Sequence, residues 1–261
     1  MEGLRAVFFD AFGTILNSEG LHVRATEIII DHLGLRGLDA RELHDKWDEY
    51  LLGLWSRGDF LPTLELFGRT LKMALAYFGF DIGPGEVREA LGLLVEFFEE
   101  GTRPYDDVED VMDFCRSLGL KVGIISDADA GLLRALLSKH GLMDYLDALI
   151  ISDEVGFLKP DERIFSTALS KVGCRAREAL MVGDSLRDVR GARRAGMRAV
   201  LLLRPTKREP PRWLYEGGGQ DALPDAIVEG LRGLKGIILS LTRARGPKPV
   251  SRIPWPRPLG S

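Results

Sequence analysis

Residues 6–14 read AVFFDAFGT, an apolar run that ends on an acid, Asp10, and then turns through Gly13-Thr14. A short apolar run bounded by turn residues predicts a buried strand. Its last residue then sets a carboxylate at the rim of a sheet, where a charge with little access to water is costly unless something pairs with it. Two residues on, where a proton donor would be useful, stands Phe12, which can move no proton.

Outward from this segment the same kind of run recurs. KVGII (residues 121–125), ALII (148–151), ALMV (179–182) and AVLLL (199–203) are short and apolar, and helical segments separate them. Asp106 or Asp107 opens one helix that Gly119 ends, and Asp129 opens a second that stops at Gly141. Pro160-Asp161 starts a third that finishes at Gly173, and Ser185 starts a fourth that closes at Gly196. Each pairs a side chain able to cap a helix N-terminus with a glycine able to end it. Strands this apolar, alternating with helices, predict a parallel sheet covered on both faces. Residues 17–100 break the alternation. There apolar residues recur at helical spacing, as in Leu43…Trp47…Tyr50-Leu51 and Leu64…Phe67…Leu71…Leu75, punctuated by Gly34, Gly58, Gly79 and Pro84. The fold class is therefore α/β, with an all-helical insert placed as a lid directly after the first strand.

The bulk properties agree with one large domain plus an insert. The chain has 261 residues, 45% hydrophobic and 28% charged, with a formal net charge of −4, a balance that gives no reason to expect a nucleic-acid or membrane surface. No stretch approaches twenty uninterrupted apolar residues, and the N-terminus lacks a basic-then-apolar secretory pattern. Cys115 and Cys174, in helical segments by their pattern, read as reduced core thiols, so a cytoplasmic setting is expected. Boundaries follow: a core of residues 1–16 and 101–240, a helical cap of 17–100, and a tail of 241–261. The last stretch, RARGPKPVSRIPWPRPLGS, is Pro-rich, basic and free of acids. It reads as an extended or disordered extension, the alternative being a partner-binding arm anchored by Trp255.

Candidate chemistry lies at the strand ends: Asp10, Ser126-Asp127, Ser152-Asp153 and Gly183-Asp184. Open parallel sheets bind ligands beyond the carboxyl ends of their strands, although Ser and Asp also serve as turn and cap residues. Taken in order, FFDAFGT, IISDAD, EVGFLKPDERIF and MVGDSLRDVRGARRAG resemble the haloacid dehalogenase-like hydrolase superfamily over about residues 5–204. The resemblance implies a Rossmann-like core, a helical cap, an aspartate nucleophile and usually a Mg²⁺ ion. On the matching positions, Asp10 is the nucleophile that forms a covalent aspartyl intermediate, and Lys159 offsets negative charge on nucleophile and substrate. Thr14 and Ser126 hold the nucleophile or a phosphoryl group, with Asp127 beside them. Asp10, the backbone carbonyl of Phe12 and Asp184 hold the metal, with Asp188 as a direct or supporting member. Acids so close together would repel one another without a cation, and a hard cation with oxygen ligands suits them.

Phe12 departs from the phosphatases of this superfamily, which usually carry there an Asp that protonates the leaving alkoxide. Loss of such a group costs roughly 10²–10⁴ in rate, so catalysis can survive on activated leaving groups. An aromatic residue here resembles the 2-haloacid dehalogenase branch, which displaces halide without a metal. That branch, however, usually has Ser and Asn where this chain has Gly183-Asp184-Ser185, and Tyr where it has Phe165. The fourth motif weighs more, because an aromatic ring can merely fill space whereas a metal-facing carboxylate is costly where no metal binds. A Mg²⁺-dependent phosphatase acting on a small phosphorylated molecule, as monomer or homodimer, is the expectation. The alternatives are a dehalogenase and a non-catalytic binding protein. The lid should set substrate choice, while its His22, Arg24, Trp47 and Trp55 read as packing or surface.

Overall fold

The computed structural model describes residues 3–55, 60–204 and 223–242. From β1 (Ala6–Phe9) the chain passes through a two-residue strand, β2 (Leu16–Asn17), into α1 (Leu21–His32), α2 (Ala40–Trp55), α3 (Thr63–Tyr77) and α4 (Pro84–Gly101), and returns by β3 (Arg103–Pro104). Strands and helices then alternate as α5 (Val108–Ser117), β4 (Lys121–Ser126), α6 (Ala130–Lys139), β5 (Ala148–Ile151), the short α7 (Ser152–Val155), α8 (Glu162–Val172), β6 (Ala179–Gly183), α9 (Leu186–Arg194), β7 (Arg198–Leu202), β8 (Ala226–Val228) and α10 (Leu234–Thr242).

Six strands form one parallel sheet in the order β5-β4-β1-β6-β7-β8. The chain builds outward from β1 on one side through β4 and β5, and on the other through β6, β7 and β8. β1 therefore lies at the switch point, where the flanking connections part and leave a crevice at the carboxyl ends.

Period-two alternation explains how such apolar strands are buried twice over. On one face Val7, Phe9, Ile124, Ile151 and Val182 pack against Val111 and Met112 of α5, Leu136 of α6 and Ile238 of α10. On the other, Ala6, Phe8, Ile125, Ile150 and Met181 meet Ile164 and Phe165 of α8 and Val189 of α9. Asp129, Asp161 and Ser185 cap α6, α8 and α9 by accepting the backbone N–H groups of Leu132, Arg163 and Asp188 at 2.8, 2.8 and 3.3 Å.

The helices α1–α4 enclose their own apolar centre around Ile29, Leu43, Leu71, Leu75 and Phe98. Where the chain leaves and re-enters the sheet domain, β2 and β3 pair antiparallel, Leu16 with Pro104 and Asn17 with Arg103. A bridge between Phe12 and Leu16 ties this ribbon to the loop that follows β1.

Several sequence boundaries need correction. β4 and β6 each run one residue further, to Ser126 and Gly183. β7 is Arg198–Leu202 rather than 199–203, because Arg198 already pairs with Leu180. Cys174 lies beyond the end of α8 rather than in a helix, and Ser152-Asp153 belongs to α7. β8 and α10 had no forecast from the sequence. Gly58, Trp255 and residues 243–261 lie outside the described residues. Among the described residues, no helix is long and apolar enough to cross a membrane.

Candidate active site

The site is assembled from the carboxyl ends of β1, β4 and β6 and the loop before α8. Asp10 follows β1, its N–H bonded to the carbonyl of Val182 at 2.9 Å, and is 7% exposed. Lys159 reaches it from the loop before α8, 4% exposed. Its ammonium donates to Asp10 Oδ1 and Asp188 Oδ1, both at 2.6 Å, and to the Ile125 carbonyl at 3.3 Å. Three donors meet three acceptors, so this buried cation is fully satisfied.

Asp188 is buried in the first turn of α9, and both its oxygens are spoken for: Oδ1 by Lys159, Oδ2 by the backbone and hydroxyl of Ser185 at 3.1 and 2.5 Å. Gly183 makes room for it, since a Cβ there would lie 2.3 Å from the Asp188 carboxyl carbon. Asp184 is half-buried, and its Oδ2 lies over Gly13, where a Cβ would stand 2.4 Å away. Gly13 also adopts φ +78°, a left-handed conformation that disfavours side chains. The close approach of Asp184 to the loop after β1 is thus written into Gly13, as that of Asp188 to the end of β6 is into Gly183.

Oxygens of Asp10, Asp184 and Asp188 all lie within 4.8 Å of one another. Burial pushes the Asp10 carboxyl up to about 7; Lys159 opposes the shift, while Asp188 and Asp184 add to it. For Asp188, burial is outweighed by Lys159 and Ser185, which hold it below the usual carboxylate range. Burial alone would favour the neutral amine of Lys159, but Asp10, Asp188 and Asp127 hold its ammonium above the ordinary lysine range. Three carboxylates face one ammonium, a deficit that a hard divalent cation suits. Asp10 and Asp184 fit as its ligands, with the Phe12 carbonyl the third position implied by the resemblance. Asp188, with both oxygens engaged, fits better as the brace for Lys159.

Ser126 ends β4, buried at the cleft. Asp127 lines the cleft too, yet its Oδ1 accepts the Lys159 N–H at 3.0 Å, and its Oδ2 lies 3.1 Å from the Arg187 guanidinium without hydrogen-bond alignment. Burial raises its carboxyl despite Lys159 and Arg187. Thr14 is not among the cleft-lining residues. It is buried beneath the turn, its carbonyl accepting from Arg204 Nη2 at 2.5 Å.

Above these groups a cleft of about 280 Å³ separates the strand ends from the helical insert. Several of its features carry no sequence motif. Arg187 of α9 stacks on Trp55 of α2 at 4.3 Å from the ring centre. Asp153 accepts the backbone N–H of Thr63 at 3.0 Å and its hydroxyl at 2.8 Å, so the sheet domain supplies the N-terminal cap of α3. His22, Trp47 and Trp55 line the cleft, and Arg24 does not. Burial, with His44 beside it, pushes the His22 imidazole down to about 4. Trp47 is pinned by its indole N–H, which donates to Thr70 Oγ1 at 2.9 Å.

A lysine and a carboxylate cluster at the switch point of a parallel sheet, beneath a helical insert, define an α/β enzyme site built around a buried aspartate. The haloacid dehalogenase-like hydrolase family model matches residues 4–196, and the chain belongs to that family. Phosphoserine phosphatase of Thermus thermophilus is 37% identical over 193 residues, covering 70% of this chain and 72% of that protein. (S)-2-haloacid dehalogenase 1 of a Pseudomonas species is 27% identical over 211 residues, covering 79% and 88%. Among solved structures, the magnesium-bound HAD-hydrolase YfnB of Bacillus subtilis superimposes with a TM-score of 0.74 over 91% of this chain and all of that one, at 17% identity. Its likeness is one of fold.

Proposed function

We propose that this hydrolase is a Mg²⁺-dependent phosphatase of small phosphomonoesters, working through an aspartyl-phosphate on Asp10. The observation that carries the reading is the cluster of Asp10, Asp184 and Asp188 within 4.8 Å, served by one lysine. Its similarity to phosphoserine phosphatase supports the same class.

Asp10 attacks phosphorus, and the bond from phosphorus to the ester oxygen breaks. Lys159, held between Asp10 and Asp188, keeps the nucleophile ionised and aligned and offsets charge on the incoming phosphoryl group. Ser126 presents a hydroxyl to that group from the end of β4. Water then cleaves the aspartyl-phosphate, and Asp10 returns as a carboxylate. Mg²⁺ held by Asp10 and Asp184 would neutralise phosphoryl oxygens and the acids around them.

The experiment is phosphate release from a panel of small monoesters with and without EDTA, beside Asp10→Asn. The reading expects release that needs Mg²⁺ and disappears in the variant. EDTA-insensitive turnover would refute it. Phe12 favours a second reading, a 2-haloacid dehalogenase, whose signature is halide release from 2-chloropropionate indifferent to EDTA.

A further inference from the structure

The geometry points to aryl esters, phosphates of apolar alcohols whose oxygen departs without a proton, as the substrate class of this site, in preference to phosphates of polar alkanols. The inference rests on the phosphatase reading above and adds what lies on the leaving-group side.

Two independent observations converge. The first is the lining of the cleft. Beyond the acid cluster its walls include Phe12, Trp55, Leu64, Phe67, Phe98 and Leu132, contributed by both the sheet domain and the insert, with His22, His44, Asp48 and Thr63 set among them. The aromatic and aliphatic members of these walls favour a flat apolar body. Trp55 is held in place by the Arg187 guanidinium stacked on it, so this wall is preorganised.

The second is what faces the departing oxygen. Phe12, two residues beyond the nucleophile, packs against both the sheet-domain core and the insert core, at their junction. Of the acids on the nearby rim, Asp127 gives one oxygen to the Lys159 N–H and sets the other beside Arg187, and Asp129 gives an oxygen to the Leu132 N–H at the start of α6; both belong to the turn after β4 and not to the loop that carries Phe12. His22, across the cleft, is neutral at pH 7 and so a poor donor. An alkoxide, with a conjugate acid near the value of water at about 15.7, departs slowly without a donor. A phenoxide, with a conjugate acid near 10 as in tyrosine, does not need one.

The step balances without a protein acid. A carboxylate oxygen of Asp10 bonds to phosphorus, the bond from phosphorus to the aryl oxygen breaks, and the aryloxide leaves with the electron pair. Water then attacks phosphorus and the Asp10 carboxylate departs. The proton that water sheds is taken up by the aryloxide or the solvent, leaving phenol and phosphate.

The test compares kcat/KM of the full chain with Mg²⁺ for phenyl phosphate, benzyl phosphate and glycerol 1-phosphate, and for phenyl phosphates of graded phenol acidity. Phenyl phosphate should exceed both alkyl esters by at least about 100-fold, the lower end of what a general acid contributes. Rates should rise steeply with phenol acidity, and Phe12→Asp should flatten that dependence. Benzyl or glycerol phosphate within about tenfold of phenyl phosphate overturns the inference while leaving the phosphatase reading intact. Release from none of the esters overturns both. If Phe12→Asp does not fold, the wild-type series decides alone.

Discussion

Arg204→Met should be among the most destabilising single changes outside the acid cluster. Arg204 and Asp107 form an ion pair at 2.8 Å with side chains each 6% exposed. The same Asp107 oxygen accepts the Leu231 N–H at 2.8 Å, and the other arm of Arg204 donates to the Thr14 carbonyl. Its guanidinium also lies 3.7 Å from the centre of the Tyr105 ring. Removing the cation strands Asp107 in the interior with one donor and takes the Thr14 carbonyl's partner as well. Loss of one member of a buried pair costs about 3–5 kcal/mol, a large share of the roughly 5–15 kcal/mol that holds a domain folded. At about 2–4 °C per kcal/mol for a chain of this size, the melting point should fall by about 10 °C. Urea unfolding supplies the measurement, with an unchanged denaturant slope showing that the unfolded state is not what moved. The double variant Arg204→Met/Asp107→Asn should recover much of the loss, because a neutral amide can still accept from Leu231. A cost below about 1 kcal/mol for the single change, or strict additivity in the double, would refute the reasoning.

Mg²⁺ at a hundred times its Kd should add about 2.7 kcal/mol of stability; Asp184→Asn should abolish that thermal shift, and a shift that survives the substitution would remove Asp184 from the ligand set. Asp153→Ala should cost about 1–2 kcal/mol through loss of the α3 cap, read by urea midpoint, and a midpoint unmoved would show that Thr63 finds another partner. His22 has a depressed folded-state value of about 4 against the ordinary 6.5. Its contribution to stability is therefore intact above about pH 6.5 and declines as pH falls toward 4. His22→Asn should make the urea midpoint less sensitive between pH 7 and 4.5, and equal sensitivity would rule out His22 as a source of that pH dependence.

Much of the sheet domain was legible because its signals are local. Apolar runs of strand length marked β1, β4, β5, β6 and β7, and Asp129, Asp161 and Ser185 announced helices whose N-termini they do cap. Proximity of Asp10, Lys159 and Asp188 was legible only through ordered motifs, since nothing in local spacing joins a loop before α8 to the end of β1. β8 is three residues long and carries too little periodicity to stand out. Asp153 was noticed as a strand-end acid, yet its bond to Thr63 links distant parts of the chain. Asp107 was read only as a helix opener, and its pairing with Arg204 gave no sign, because a buried ion pair is specified by packing from several elements at once. The stack of Arg187 on Trp55 was hidden for the same reason.

The ribbon of β2 and β3 has a mechanical consequence. Beside the Thr63–Asp153 and Trp55–Arg187 contacts, the insert is joined to the sheet domain by this short antiparallel pair, and Leu16 of the pair bridges directly to Phe12 in the loop that follows Asp10. A rotation of the insert about the ribbon therefore pulls on the backbone between Asp10 and Thr14. In the proposed reaction, any movement of the insert over a ligand would be passed on to Asp10 itself, so an insert grafted from another protein would have to match this gearing as well as its new cargo.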